Sequence, residues 1–137
     1  MTDEPIWELN ELIRNMHPVL HEGVFVFVSV MDENCLKSVE IISSIREKEG
    51  YSAVVREEGA HRLGLEPFFR SAWITLEVHS DLEATGFTAI FSKALAEKGI
   101  SCNVVAGAYH DHLFVPVEQA DAAMQVLTLL QIKQNTP

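Results

Sequence analysis

A chain of 137 residues, 47% of them hydrophobic, can bury a real core, and its length fits one compact body or two small lobes. Twenty acidic against ten basic residues give a net charge of −10, which repels phosphate backbones, and with no Lys/Arg cluster a general nucleic-acid role is excluded. No apolar run approaches bilayer-spanning length, Met1-Thr2-Asp3-Glu4-Pro5 is too acidic to open a secretory leader, and Cys35 and Cys102 are too few for a disulfide scaffold, so a reduced, cytoplasmic setting with no membrane partner is expected.

The first predicted element is a helix over Pro5–Met16, with Leu9, Leu12, Ile13 and Met16 on one face, Asp3 as its cap and His17-Pro18 as its stop. Val24–Val30 is β-branched and aromatic throughout and reads as a strand buried on both faces. Met31–Ser38 reads as a polar connection. Val39–Glu47 and Tyr51–Arg56 then predict a hairpin turning at Lys48-Glu49-Gly50, although Ile41, Ile42 and Ile45 also fit a helix. Glu57–Leu63 is a short helix closed by Gly64, and Glu66–Arg70 a linker. That linker divides the chain into lobes 1–68 and 69–134.

In the second half, Ile74, Leu76 and Val78 alternate with polar residues as a half-buried strand. Phe87, Ile90, Phe91, Ala94 and Leu95 repeat at helical spacing, and Gly99 stands where a helix ends. Cys102, Val104 and Ala106 alternate in a strand, Gly107-Ala108-Tyr109 turns, and Leu113 and Val115 carry the next strand to Pro116. Ala120, Ala123, Met124, Leu127 and Leu130 form a last amphipathic helix with a frayed tail, Gln134–Pro137. Strand–helix–strand–strand–helix is a split βαβ unit, α+β and ferredoxin-like, whose third strand inserts between the first two. Gln131–Pro137 cannot supply the usual fourth strand, so the N-terminal half must complete or cover that sheet edge.

Polar residues gather around the expected strand–helix loop. Gly86 stands at a helix start, where free N–H groups and the helix dipole attract a carboxylate; tight helix–strand packing explains a glycine there equally well. Ser80 and Glu83 match a capping box, and Asp81 or Glu83 could instead receive a ligand's amino group. Asn103 has an amide that both donates and accepts. His110 and His112 alternate onto one strand face within reach of His79. These three imidazoles suit a zinc or nickel site, a pH-sensitive ligand contact, or plain turn hydrogen bonds. Cys102 points into apolar surroundings as an inert thiol, Cys35 lies in a loop, and Trp7 and Trp73 suit packing or an interface. No nucleophile elbow, Walker loop or dinucleotide fingerprint is present, and no cofactor or catalytic residue is assigned.

The run from Asp81 to Ser101, with Gly86 opening a helix and Leu95-Ala96-Glu97-Lys98-Gly99-Ile100 closing it, resembles the core of an ACT domain. Ser101–Pro116 and the pattern Met16-x-Pro18-x-Leu20-x-x-Gly23-x-Phe25-Val26-Phe27 are similar to short bacterial proteins with two ACT-like units in tandem. The resemblance implies antiparallel sheets with helices on one face, and a regulatory or sensory protein, not an enzyme, that binds an amino acid or similar metabolite and pairs as a homodimer. It implies a ligand loop over His79–Gly86. The expected pocket takes in His79, Ser80, Asp81, Glu83, Thr85, Gly86 and Phe87, faced by Asn103, Val104, Val105, Gly107, His110 and His112. A ligand-free interaction module, with Trp73, Thr75 and Glu77 covered by a partner, is the alternative. Asp81 lies five positions before Gly86, a longer approach than the family's usual spacing, and no catalytic domain is attached.

Overall fold

A computed structural model describes residues 4–6 and 8–135. The predicted cap Asp3, the interface candidate Trp7 and the last two tail residues lie outside the described residues. The chain forms two compact units, Glu22–Ala72 and Met1–His21 with Trp73–Pro137.

The unit 22–72 contains strand β2 (Phe25–Val30), a 3-10 helix (Glu33–Leu36), the hairpin β3 (Ile41–Arg46) and β4 (Tyr51–Arg56), helix α2 (Glu57–Arg62) and the first half of β5 (Phe69–Leu76). The sheet order is β3-β4-β2-β5, all antiparallel. This is the ferredoxin-like order, with the first helix shrunk to one 3-10 turn. The segment Met31–Ser38 is therefore more than a polar connection. Asp32 caps the turn by accepting from the Asn34 amide at 2.9 Å, and Leu36 is fully buried. The core comprises Val26, Val28, Val30, Leu36, Ala53, Val55 and Ala60. β-Branched residues at alternate positions of β2 supply it, as a pleated half-buried surface favours. The segment predicted as a linker, Glu66–Arg70, ends inside β5, where Phe69 and Arg70 pair with Phe27 and Val26.

The other unit contains helix α1 (Leu9–Asn15), strand β1 (Pro18–Leu20), the second half of β5, helix α3 (Phe87–Glu97), strands β6 (Asn103–Ala106) and β7 (Asp111–Pro116), and helix α4 (Ala120–Asn135). Its strand order is β1-β5-β7-β6. β7 sits between β5 and β6, as the split βαβ reading requires, and β1 takes the open edge of β5, pairing Pro18 with Leu76 and Leu20 with Ile74. The N-terminal segment thus supplies the fourth strand of this unit. α1 is shorter than predicted and is capped by Glu8, whose carboxylate accepts from the Asn10 and Glu11 amides at 3.1 and 2.8 Å. It stops at Met16, where His17 adopts φ 35° ahead of Pro18. α4 continues to Asn135, two residues into the segment expected to fray. Leu12, Met16, Ile74, Leu76, Phe91, Leu95, Leu113, Val115 and Leu127 are fully buried and make the core.

The two compact units are not the two sequence lobes 1–68 and 69–134. Residues 4–21 pack with the C-terminal elements because β5 offers them an edge and because α1 lies against α3 and α4.

Candidate ligand site

The loop between β5 and α3 is fastened along both sides. Ile6 runs beside it as a parallel bridge: the Ile6 amide donates to the His79 carbonyl at 2.6 Å, and the Asp81 amide donates to the Ile6 carbonyl at 2.8 Å. On the other side the Ser80 amide donates to the Tyr109 carbonyl at 3.2 Å. Ser80 itself is buried and donates through Oγ to Asp111 Oδ2 at 3.1 Å. The predicted capping box is therefore not made. Ser80 faces β7, and Asp81 Oδ1 accepts from the Glu83 amide at 2.8 Å in a local turn.

The residue that opens α3 is Gly86, in the left-handed region at φ 90°, with no side chain capping the helix. A Cβ on Gly86 would meet Leu9 Cδ2 at an ordinary contact distance of 3.4 Å, so it is the backbone conformation that favours glycine. Thr85 and Gly86 are exposed, Glu83 is exposed, and Phe87 turns inward, edge-on to Phe91 at 5.1 Å between ring centroids. Among the described residues no side chain accepts from the first N–H groups of α3, which lie at an exposed end, an arrangement that attracts a carboxylate.

His79, Tyr109 and His110 surround the same end of the sheet. The His79 and Tyr109 rings are 5.0 Å apart, and His110 Nδ1 meets the Val78 carbonyl at 3.1 Å. A carbonyl only accepts, so Nδ1 carries the proton and His110 pins the turn. The Gly107 amide closes that turn on the His110 carbonyl at 2.8 Å.

His112 does not join His79 and His110. Its Nδ1 is 3.0 Å from both Trp73 Nε1 and Thr75 Oγ1, and Thr75 Oγ1 is 2.7 Å from His21 Nε2. His21 stacks on Trp73 with centroids 3.6 Å apart. An indole N–H only donates, so His112 Nδ1 accepts and the neutral ring carries its proton on Nε2. Burial lowers the His112 pKa below its ordinary 6.5, and His110 and His21 lower it further against a smaller opposing pull from Asp111. Among the described residues no group of three His, Cys, Asp or Glu side chains is placed to hold a metal. The His79–His110–His112 metal alternative fails because the rings are committed elsewhere, to Tyr109, to Val78 and to Trp73 with Thr75.

Asn103 is also separated from the loop. β6 pairs Ala106 with Asp111 and Asn103 with Phe114, so Asn103 lies three residues, about 10 Å, along the strand from the end where Ser80 meets Asp111. Val104 and Val105 pair with Leu113 and His112. The geometry thus gathers His79, Ser80, Asp81, Gly107 and His110 near one end, with Gly86 opening α3, while Asn103 lies at the other end of β6. The His21–Thr75–His112–Trp73 group was missed as a group. Its only trace in the sequence is the outward alternation of Trp73 and Thr75, since the pairing of β1 with β5 brings His21 from far away.

Two family models described as ACT domain match the chain, one over residues 4–72 and one over residues 69–128. They overlap within β5, which gives one half to each compact unit. No match was found among curated proteins. Among solved structures, a Vibrio cholerae protein of unknown function is 44% identical, covering 90% of this chain and 95% of its own, with a TM-score of 0.82. The regulatory subunit of aspartate kinase from Thermus thermophilus is 12% identical, covers 83% of this chain and 97% of its own, and reaches a TM-score of 0.65. An Agrobacterium tumefaciens protein at 15% identity covers 83% and 87%, with a TM-score of 0.62. At those low identities the likeness concerns the ferredoxin-like fold. Two family matches that together run from residue 4 to residue 128, with a 44% identical relative of nearly equal extent, show that this chain belongs to the ACT domain family, as two successive copies.

Proposed function

We propose that this chain is a non-catalytic regulatory protein whose ligand is an amino acid, held at the exposed start of α3. Family membership supports the broader role, small-molecule binding in regulation. The observation that carries the finer reading is Gly86, at φ 90°, opening α3 with amides that no side chain among the described residues caps. A ligand carboxylate would take those amides, and Asp81 and Glu83 would face its ammonium group. His79, Thr85, Gly107 and His110 would border it, and Phe87 would hold the helix start in register from beneath. Asn103, Val104, Val105 and His112 enter only if a second copy of the chain brings its β6 to the site. The known likeness to an aspartate kinase regulatory subunit agrees with this reading at the level of fold.

Isothermal titration of the purified chain with the twenty amino acids, paired with melting curves, tests the proposal. The expected result is saturable heat with one amino acid or a small group of them, and a stabilisation of about 2.7 kcal/mol at a hundredfold excess over Kd. Absence of both heat and a melting shift at about 10 mM of every amino acid sinks it.

A second reading, a ligand-free dimerisation module, draws on exposed apolar side chains. Ile45 on β3 and Phe68 are 65% and 80% exposed, and β3 ends its strand order. Sedimentation equilibrium decides: a concentration-dependent dimer supports this reading, and a monomer at all concentrations removes it. The free thiols of Cys35 and Cys102 agree with a cytoplasmic setting, and among the described residues no helix is long and apolar enough to cross a membrane.

A further inference from the structure

The unit 22–72 holds a cavity of about 470 Å³ lined by Glu22, Gly23, Val24, Arg56, Glu57 and Glu58. That volume lies in the usual range for small-molecule sites. None of these residues belongs to the α3 site. Its chemistry is set by Arg56, the last residue of β4, paired with Phe25 across the sheet. The guanidinium lies 4.9 Å from the Phe25 ring centroid and donates through Nη1 to the Glu22 carbonyl at 3.4 Å. Gly23 makes this position available: at φ 110° it adopts a backbone that side chains rarely take, and a Cβ there would stand 3.1 Å from Arg56 Nη1.

Arg56 has no carboxylate within ion-pair distance among the described residues. Its sequence neighbour Glu57 is taken by Arg70, which donates to both carboxylate oxygens, to Oε1 at 3.1 Å. That hydrogen bond lowers the Glu57 pKa and keeps it ionised. A guanidinium carries five N–H donors in a planar fork, and one of them goes to Glu22. The rest match a carboxylate.

With Glu57 balanced by Arg70, the lining presents one positive charge, on Arg56, and two negative charges, on exposed Glu22 and Glu58. A phosphate or a dicarboxylate would be repelled by the two glutamates. A simple amine would leave Arg56 unmatched, and a simple monocarboxylate would leave the glutamates unmatched. We propose that this cavity is a second ligand site, distinct from the start of α3, which takes an amino-carboxylate with a neutral or cationic side chain, its carboxylate on Arg56 and its ammonium group at Glu22 and Glu58.

The test is a nitrogen-15 NMR titration of the full chain with L-lysine, L-alanine, propionate and L-glutamate, reading the Gly23 amide and the Arg56 Nε. L-lysine and L-alanine are expected to shift both signals at millimolar concentration, with propionate and L-glutamate at least ~10-fold weaker. Arg56→Gln is expected to weaken L-lysine at least ~10-fold, and Glu58→Gln to weaken L-lysine more than L-alanine. No shift at Gly23 and Arg56 with any of the four probes overturns the proposal, as does equal affinity for L-alanine and propionate, or unchanged binding by a folded Arg56→Gln. The Gly86 and Thr88 amides report on the α3 site in the same spectra, so the two readings fail separately.

Discussion

The neutral state of His112 has a thermodynamic consequence. Its Nδ1 accepts from Trp73 Nε1, and a proton there would set two N–H groups against each other. The folded chain therefore binds this proton less readily than the unfolded chain, whose histidine titrates near 6.5. Stability from this group is fully present above 6.5 and is lost as pH falls toward the lower folded pKa. Urea unfolding from about pH 7.5 to about pH 5 is expected to show that loss, and His112→Gln to reduce the slope. A slope unchanged in the variant would assign the effect to another group. The cysteines differ in the same physical way. Burial pushes the Cys102 thiol up to about 11, whereas Cys35 is exposed. A disulfide reagent near pH 8 is expected to modify one thiol quickly, and Cys35→Ser to abolish that fast phase. The environment of His112, unlike those of the cysteines, does not follow from its neighbours in sequence. Trp73 and Thr75 reach His112 through strand order, and His21 reaches them through β1.

At the scale of elements, α3 rests on two different supports. At its start, Gly86→Ala is expected to cost about 1–2 kcal/mol, because an L side chain at φ 90° meets its own backbone, and Gly86→Asn to cost less. In its middle, Phe91 is fully buried, and Phe91→Ala is expected to cost about 3–5 kcal/mol by lost burial and a residual cavity. Chemical denaturation of the three variants gives both magnitudes; equal stability of Gly86→Ala and the parent chain would contradict the left-handed opening. Both features were legible in the sequence, since the helical repeat from Phe87 to Leu95 and the flanking Gly86 and Gly99 are local signals. The hairpin of β3 and β4 was legible too, through the turn at Gly50. The capping box was misread because Ser80 and Glu83 have the right spacing, but the backbone pairs Ser80 with Ile6 and Tyr109 and starts the helix later. The chain seats Ser80 against Asp111 instead, a contact no spacing rule encodes.

For the whole molecule, the two sequence copies and the two packed units divide the chain differently. We propose that 1–68 and 69–134 are the copies at the level of sequence, and that folding lends residues 4–21 to the second. A fragment of residues 69–134 lacks both β1, which pairs along Ile74–Leu76, and the buried Leu12 and Ile13 of α1 with Met16 at its end. It is expected to unfold without cooperativity or to aggregate through the open edge. A monomeric fragment with a sharp unfolding transition would contradict this. The sequence by itself determined the ferredoxin-like arrangement, because strand alternation and helical repeats are local facts. Only the tertiary structure decided which segment pairs with that edge of β5, that His112 parts from His79 and His110, and that Arg56 has no ion-pair partner among the described residues beside Gly23. Those outcomes depend on pairings between residues far apart in the chain, where register and burial are set by the competing contacts of every other strand.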